Sequence, residues 1–104
     1  MKIPILINLY NRPKYTRKLI NSLSIIKPSV IYVSIDGPKN KLDEKKIKKI
    51  LNLIKNINWK CKKIYKLNKI NYGCKISVSN AIEWFFKNEK YGIILEDDVL
   101  PSKH

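Results

Sequence analysis

Four short apolar runs, separated by stretches whose apolar residues recur at helical spacing, constrain this chain more than any other feature. Residues 3–10 are apolar and β-branched, with Asn8 interrupting the run, and Asn11-Arg12-Pro13 closes it. Pro13 suits the first turn of a helix, where a missing N–H costs nothing. Tyr15, Leu19, Leu23 and Ile26 then recur at helical spacing, Ile20 widens the apolar face, and Lys27-Pro28-Ser29 ends the helix. Residues 30–35 form a second β-branched run that stops at the turn Asp36-Gly37-Pro38. Asp43 and Glu44 favour a helix start, and Ile47, Ile50, Leu51 and Ile54 give that helix its stripe, with lysines on the other face. Residues 61–67 alternate weakly and read as a strand near a sheet edge. After the loop Asn71-Tyr72-Gly73, a third stripe runs through Val78, Ala81, Ile82 and Phe85, extended by Phe86. Residues 92–95 are a short apolar strand leading directly into Glu96-Asp97-Asp98.

The order is therefore βαβαβαβ, an α/β chain whose crossovers require a mostly parallel sheet with helices on its faces. At 104 residues it has room for one small core. In such sheets ligands gather at the carboxyl ends of the strands, near the point where strand order reverses. That singles out Asn11-Arg12, Asp36-Gly37, residues 68–73 and residues 96–98.

Composition excludes several classes. The net charge of +14 invites a nucleic-acid reading, but of 22 basic residues only Arg12 and Arg17 are arginines. Phosphate and base readers favour the bidentate fork of arginine. Abundant isoleucine and asparagine beside lysine point instead to an AT-rich coding sequence. A specific nucleic-acid partner is not expected, only weak polyanion affinity that salt removes. Cys61 and Cys74 form no CxxC pair, and the one histidine is His104, so both cysteines read as small buried residues and zinc is not expected. No apolar run is long enough for a membrane-spanning helix. The apolar start lacks a small-residue cleavage site and reads as a strand, so the expected location is cytoplasmic, with peripheral membrane contact left open. There is no GxGxxG or GxxxxGK[ST] loop, no GxSxG elbow and no Ser/Cys–His arrangement, which disfavours dehydrogenase, P-loop and hydrolase readings.

The candidate chemistry is acidic. Only eight carboxylates are present, and Asp36, Glu96, Asp97 and Asp98 all fall at strand ends. Three adjacent carboxylates repel one another unless a cation is near. Along an extended chain Glu96 and Asp98 project to one side and Asp97 to the other. Two hard oxygen ligands at that spacing suit Mg²⁺ or Mn²⁺ bridging a diphosphate, and the alternative is an acidic cap for a helix starting near Pro101-Ser102. Asp36 is either an acceptor for a base or ribose or simply the first half of an Asp-Gly turn. Arg12 is either a phosphate fork or a solvated turn residue. Trp84 and Phe86 fit core packing or edge cover better than base stacking.

Taken together, strand–"NRP"–helix, strand–"SIDGP", "NYGCKISVSNAIEWFF" and "GIILEDDVLPS" resemble the N-terminal half of GT-A nucleotide-diphospho-sugar transferases. The pattern is similar to the bacterial family-2-like glycosyltransferases, also called hemolytic-protein-like. More distantly, it resembles the alpha-1,3-mannosyl-glycoprotein N-acetylglucosaminyltransferase family. The resemblance implies a Rossmann-like half of a GT-A fold, with four strands in the order 3-2-1-4 over residues 1–104. It implies transfer of a sugar from a UDP-linked donor to an acceptor hydroxyl, with Mn²⁺ or Mg²⁺ as cofactor. Arg12 would sit beside the nucleotide phosphates and Asp36 at the nucleobase, uracil. Asp98 would be the direct metal ligand with Glu96 sharing that role; Glu96 and Asp97 would face the ribose or donor sugar, and Lys75 would border the donor site. In that family the acceptor pocket and catalytic base lie beyond the equivalent of His104. No residue here is a candidate base, and the chain is expected to be a fragment or a non-catalytic nucleotide-binding remnant.

Overall fold

A computed structural model describes residues 2–96. All five side chains of β1 (Ile5–Leu9) are buried, so the strand has to be covered on both faces and paired on both edges. It runs parallel to β2 (Val30–Ile35) on one side and to β4 (Ile93–Glu96) on the other. Beyond β2 lies β3 (Lys62–Leu67), also parallel, which gives the order β3-β2-β1-β4. The α/β architecture and strand order are those expected.

Strand alternation sorts the core into two layers. Ile5, Ile7 and Leu9 with Ile31, Val33 and Ile35 face α1 (Pro13–Ile26) and α2 (Lys41–Lys55), which contribute Leu19, Leu23, Ile50 and Ile54. Leu6 and Tyr32 face the other way, onto Ala81 and Phe85 of α3 (Cys74–Asn88). Two helices thus cover one face and a single helix the other. Each crossover returns the chain to the same end of the sheet, so all three helices begin at the carboxyl edge of the strands.

The helix boundaries have local causes. In α1 the carbonyl of Arg12 accepts both the backbone N–H and the hydroxyl of Thr16, each at 3.0 Å, which satisfies a fully buried threonine. The helix ends because Lys27 turns left-handed at φ 53°, its N–H capping the Leu23 carbonyl, with Pro28 next. α2 starts at Asn40, whose side chain accepts the Asp43 N–H at 2.9 Å.

On the α3 face, Tyr32 is the hub. Trp84 and Phe85 meet its ring edge-on, with centroids 5.2 and 4.9 Å away. Burial, and the 2.6 Å hydrogen bond it donates to Glu89, push the Tyr32 hydroxyl pKa up to about 12. Gly92 lies under Phe85: a Cβ there would come within 2.3 Å of the Phe85 ring.

Several details depart from the sequence reading. β1 is shorter than residues 3–10, and β4 includes Glu96, whose backbone still pairs at the level of Asn8. α3 begins at Cys74, four residues before its expected stripe. Ile26 is half exposed because the α1 seam is Thr16, Leu19 and Leu23. Phe86 is also partly exposed at 44%, with its ring edge-on to Phe85, and does not enter the core. Cys74 is exposed and Cys61 only partly covered, since Cys74 opens a helix at the rim and Cys61 precedes its strand. No helix among the described residues is long and apolar enough to cross a membrane.

The packing predicts a steep contrast. Phe85→Ala should cost about 3–5 kcal/mol, while Ile25→Ala, on the exposed side of α1, should change stability by less than ~0.5 kcal/mol. Urea unfolding of the two variants checks this.

Candidate functional site

At the carboxyl ends of β1, β2 and β4 the chain forms a cleft of about 360 Å³. Its position follows from the topology: β4 lies on the opposite side of β1 from β2, so the connections diverge there and leave a crevice. Asn8 to Arg12 supply one wall, Asp36 and Lys39 the next, the start of α3 a third, and Glu96 closes it.

Asp36 organises this end of the molecule. It is 4% exposed, and its Oδ1 accepts the N–H of Gly37 at 2.9 Å, the N–H of Tyr72 at 3.1 Å and the Asn68 carboxamide at 3.1 Å. Its Oδ2 accepts the Gly73 N–H at 3.0 Å. The first turn of α3 contains no acidic residue and its N-cap is a glycine, so Asp36 supplies from another strand the negative charge that this helix start lacks. Asn68 also donates to Ser77 of α3 and accepts from Lys66 at the end of β3, which binds strand, loop and helix together.

The loop over residues 68–73 lies directly on Gly37. Asn71 donates to the Gly37 carbonyl at 2.8 Å, and a Cβ on Gly37 would fall 2.3 Å from the Ile70 backbone. Gly73 is required for a different reason: its φ of 90° is open to glycine, and nothing lies within 4 Å of a Cβ there.

A second carboxylate braces the opposite wall. Asp43 accepts from the Tyr10 hydroxyl at 2.5 Å, the Asn11 carboxamide at 2.9 Å and the Lys39 N–H at 3.0 Å. The Asn11 and Tyr10 hydrogen bonds lead the causes that hold its pKa down to about 2, below the usual 3.8. Burial and the same bond raise the Tyr10 hydroxyl to about 12. Asp43 thereby ties the β1–α1 turn to the start of α2 and fixes two residues of the cleft wall.

Of the site residues expected from sequence, Arg12, Asp36 and Glu96 line this cleft. Arg12 is exposed, with its guanidinium 5.7 Å from the Tyr15 ring centre. Lys75 lies instead on an adjoining open groove beside Cys74 and Val78, which Glu96 also borders. Asp97 and Asp98 lie outside the described residues. Among those described, no group of three or more His, Cys, Asp or Glu side chains gathers for a metal ion. Glu96 does offer a hard carboxylate oxygen donor to the cleft, which suits Mg²⁺ or Mn²⁺. The carboxylate of Asp36 is committed to the backbone and is not a free ligand.

Three residues escaped the sequence reading. Asp43 looked like a dipole complement, and its role between two loops depends on tertiary contact. Asn68 stood only as the first residue of the strand-end loop 68–73, with nothing in the sequence to pair it with Asp36 and Ser77. Asn8 gave a signal: a carboxamide inside an otherwise apolar strand. It is 6% exposed, lines the cleft, and its Nδ2 has no hydrogen-bond partner among the described residues.

Neither the protein-family models, nor the curated proteins, nor the solved structures contain a match to this chain.

Two outcomes follow from this geometry. Gly37→Ala should displace the loop over residues 68–73 and destabilise the fold by about 1–3 kcal/mol, with loop amides exchanging faster in hydrogen-exchange measurements. The folded-state pKa of Asp43 is depressed, so its contribution is complete above pH 3.8 and lost as pH falls towards about 2. Melting temperature against pH should therefore drop across that window, and Asp43→Asn should be less stable at neutral pH with a flatter acid limb.

Proposed function

We propose that the cleft binds a nucleotide-diphosphate sugar, with UDP as the nucleotide, and that the chain is the donor-binding part of a GT-A-type glycosyltransferase. The observation that carries this reading is the convergence of Arg12, Asp36 and Glu96, from three separate segments, on one crevice at the reversal of strand order. The sequence resemblance carries the choice of nucleotide and of reaction.

Electrostatics support an orientation for the ligand. Two of the three helix starts at the rim are already matched by buried carboxylates, α3 by Asp36 and α2 by Asp43. The first turn of α1 has no acidic residue, and Arg12 precedes it. A diphosphate is therefore best held at the Arg12 side, with Lys39, tied to the same wall through Asp43, adding positive charge to the cleft. Nucleoside and sugar then lie towards Asp36 and Glu96. Gly37 and the loop over residues 68–73 hold Asp36 rigidly, so it acts chiefly by shaping the wall, with the less occupied Oδ2 as its remaining acceptor.

Glu96 would hold the cation, together with Asp98. The ion would supply positive charge against the diphosphate as it leaves the sugar carbon. Arg12 would neutralise the same phosphates from the other wall, and the attacking hydroxyl would come from an acceptor bound elsewhere. A donor-binding protein without turnover would present the same cleft, and the two readings part only on sugar transfer to an acceptor.

Calorimetry with UDP is the test. UDP should bind more tightly with Mn²⁺ than with chelator, and Asp98→Ala should remove that difference. Arg12→Ala should weaken UDP by about tenfold with or without metal, as expected for one charge-assisted phosphate contact. Equal UDP affinity with Mn²⁺ and with chelator would count against the reading.

A further inference from the structure

Asn8 is the one buried polar side chain in the cleft whose nitrogen lacks a partner among the described residues. A carboxamide in that state costs about 1–3 kcal/mol relative to an apolar side chain of the same shape. Apolar residues fill the rest of β1, so an asparagine here is a local disadvantage to the fold.

Its neighbours define what it could meet. In the parallel register Asn8 stands between Ser34 of β2 and Glu96 of β4, and paired residues point to the same face of the sheet. Asp36 follows two residues after Ser34 and lines the same cleft. An amide donor flanked by two carboxylates is a poor place for a phosphate oxygen, which both acids would repel. It suits a hydroxyl group, whose oxygen accepts from the amide while its hydrogen goes to a carboxylate. The torsion of a carboxamide about Cβ–Cγ is soft, and no described partner restrains this nitrogen. Turning it towards the cleft is therefore inexpensive.

We propose that Asn8 is a specificity-determining residue that reads a ribose hydroxyl: Nδ2 donates to the hydroxyl oxygen, and the hydroxyl hydrogen is taken by Glu96. This rests on the cleft being a nucleotide-sugar site and names the part of the ligand that lies on its floor. Asn8 recognises the sugar of the nucleoside and itself touches neither metal nor phosphate.

The test uses uridine and 2′,3′-dideoxyuridine without metal, on the full chain labelled with nitrogen-15. Uridine should shift the Asn8 side-chain amide resonances, and the dideoxy compound should leave them in place. Asn8→Leu should raise the melting temperature and weaken uridine about five- to tenfold, the loss expected for one hydrogen bond and its orphaned partner. A residue that serves only the fold would do the reverse and destabilise on substitution. Asn8 resonances that ignore uridine, equal responses to the two nucleosides, or a destabilised Asn8→Leu with unchanged uridine affinity would each overturn the proposal. If metal-dependent UDP binding persists in that case, the nucleotide reading stands without it. If uridine binds through Asn8 while UDP shows no response to Mn²⁺, the hydroxyl site stands and the metal-assisted reading fails.

Discussion

The carboxylate of Asp36 holds four donors, one from its own turn and three from the loop over residues 68–73, and the carboxyl end of the sheet is assembled around it. Remove that charge and the N–H groups of Tyr72 and Gly73 lose their acceptor, the loop over residues 68–73 loses its seat on Gly37, and α3 loses the negative charge at its start. Burial is what makes the arrangement rigid. A group that is 4% exposed and holds four donors cannot exchange its partners for water without a large cost. The wall it fixes is the one opposite Arg12, so the shape of the cleft depends on a residue with little capacity left for a ligand.

Asp43 plays the corresponding part on the other wall, and the two acids work differently. Asp36 collects backbone N–H groups from a loop that follows it by more than thirty residues. Asp43 collects two side chains from the β1–α1 turn and closes its own helix start. Both are charges placed where helix dipoles welcome them, and both convert a turn that could sample many conformations into one fixed edge.

Strands β1, β2 and β4 were legible because their apolar runs are short and rich in isoleucine, and β2 matches its expected limits residue for residue, while β3 showed only weak alternation. The stripe of α2 was equally plain, since Ile47, Ile50, Leu51 and Ile54 face the sheet as their spacing requires. The start of α3 was not, because Cys74 to Ser77 carry no stripe and the cap comes from Asp36, distant in sequence. For the same reason the Asp-Gly pair at residues 36–37 could be read as a turn or as a ligand contact. In the fold the acid accepts from its own Gly37 and from the loop over residues 68–73, contacts that only tertiary structure supplies. Lys75, one residue into α3, lies on the groove that adjoins the cleft and shares Cys74, Val78 and Glu96 with it.

All four described strands run the same way, so the three described helices present their N-termini to one rim whatever side chains they carry. That polarity belongs to the backbone, and two buried aspartates trim it. The many lysines lie mainly on exposed faces. Surface composition is therefore free to drift with the coding bias of a genome, exchanging lysine for glutamine, serine or arginine, while the field at the rim is inherited unchanged with the topology. Charge and chemistry can evolve separately in a chain built this way.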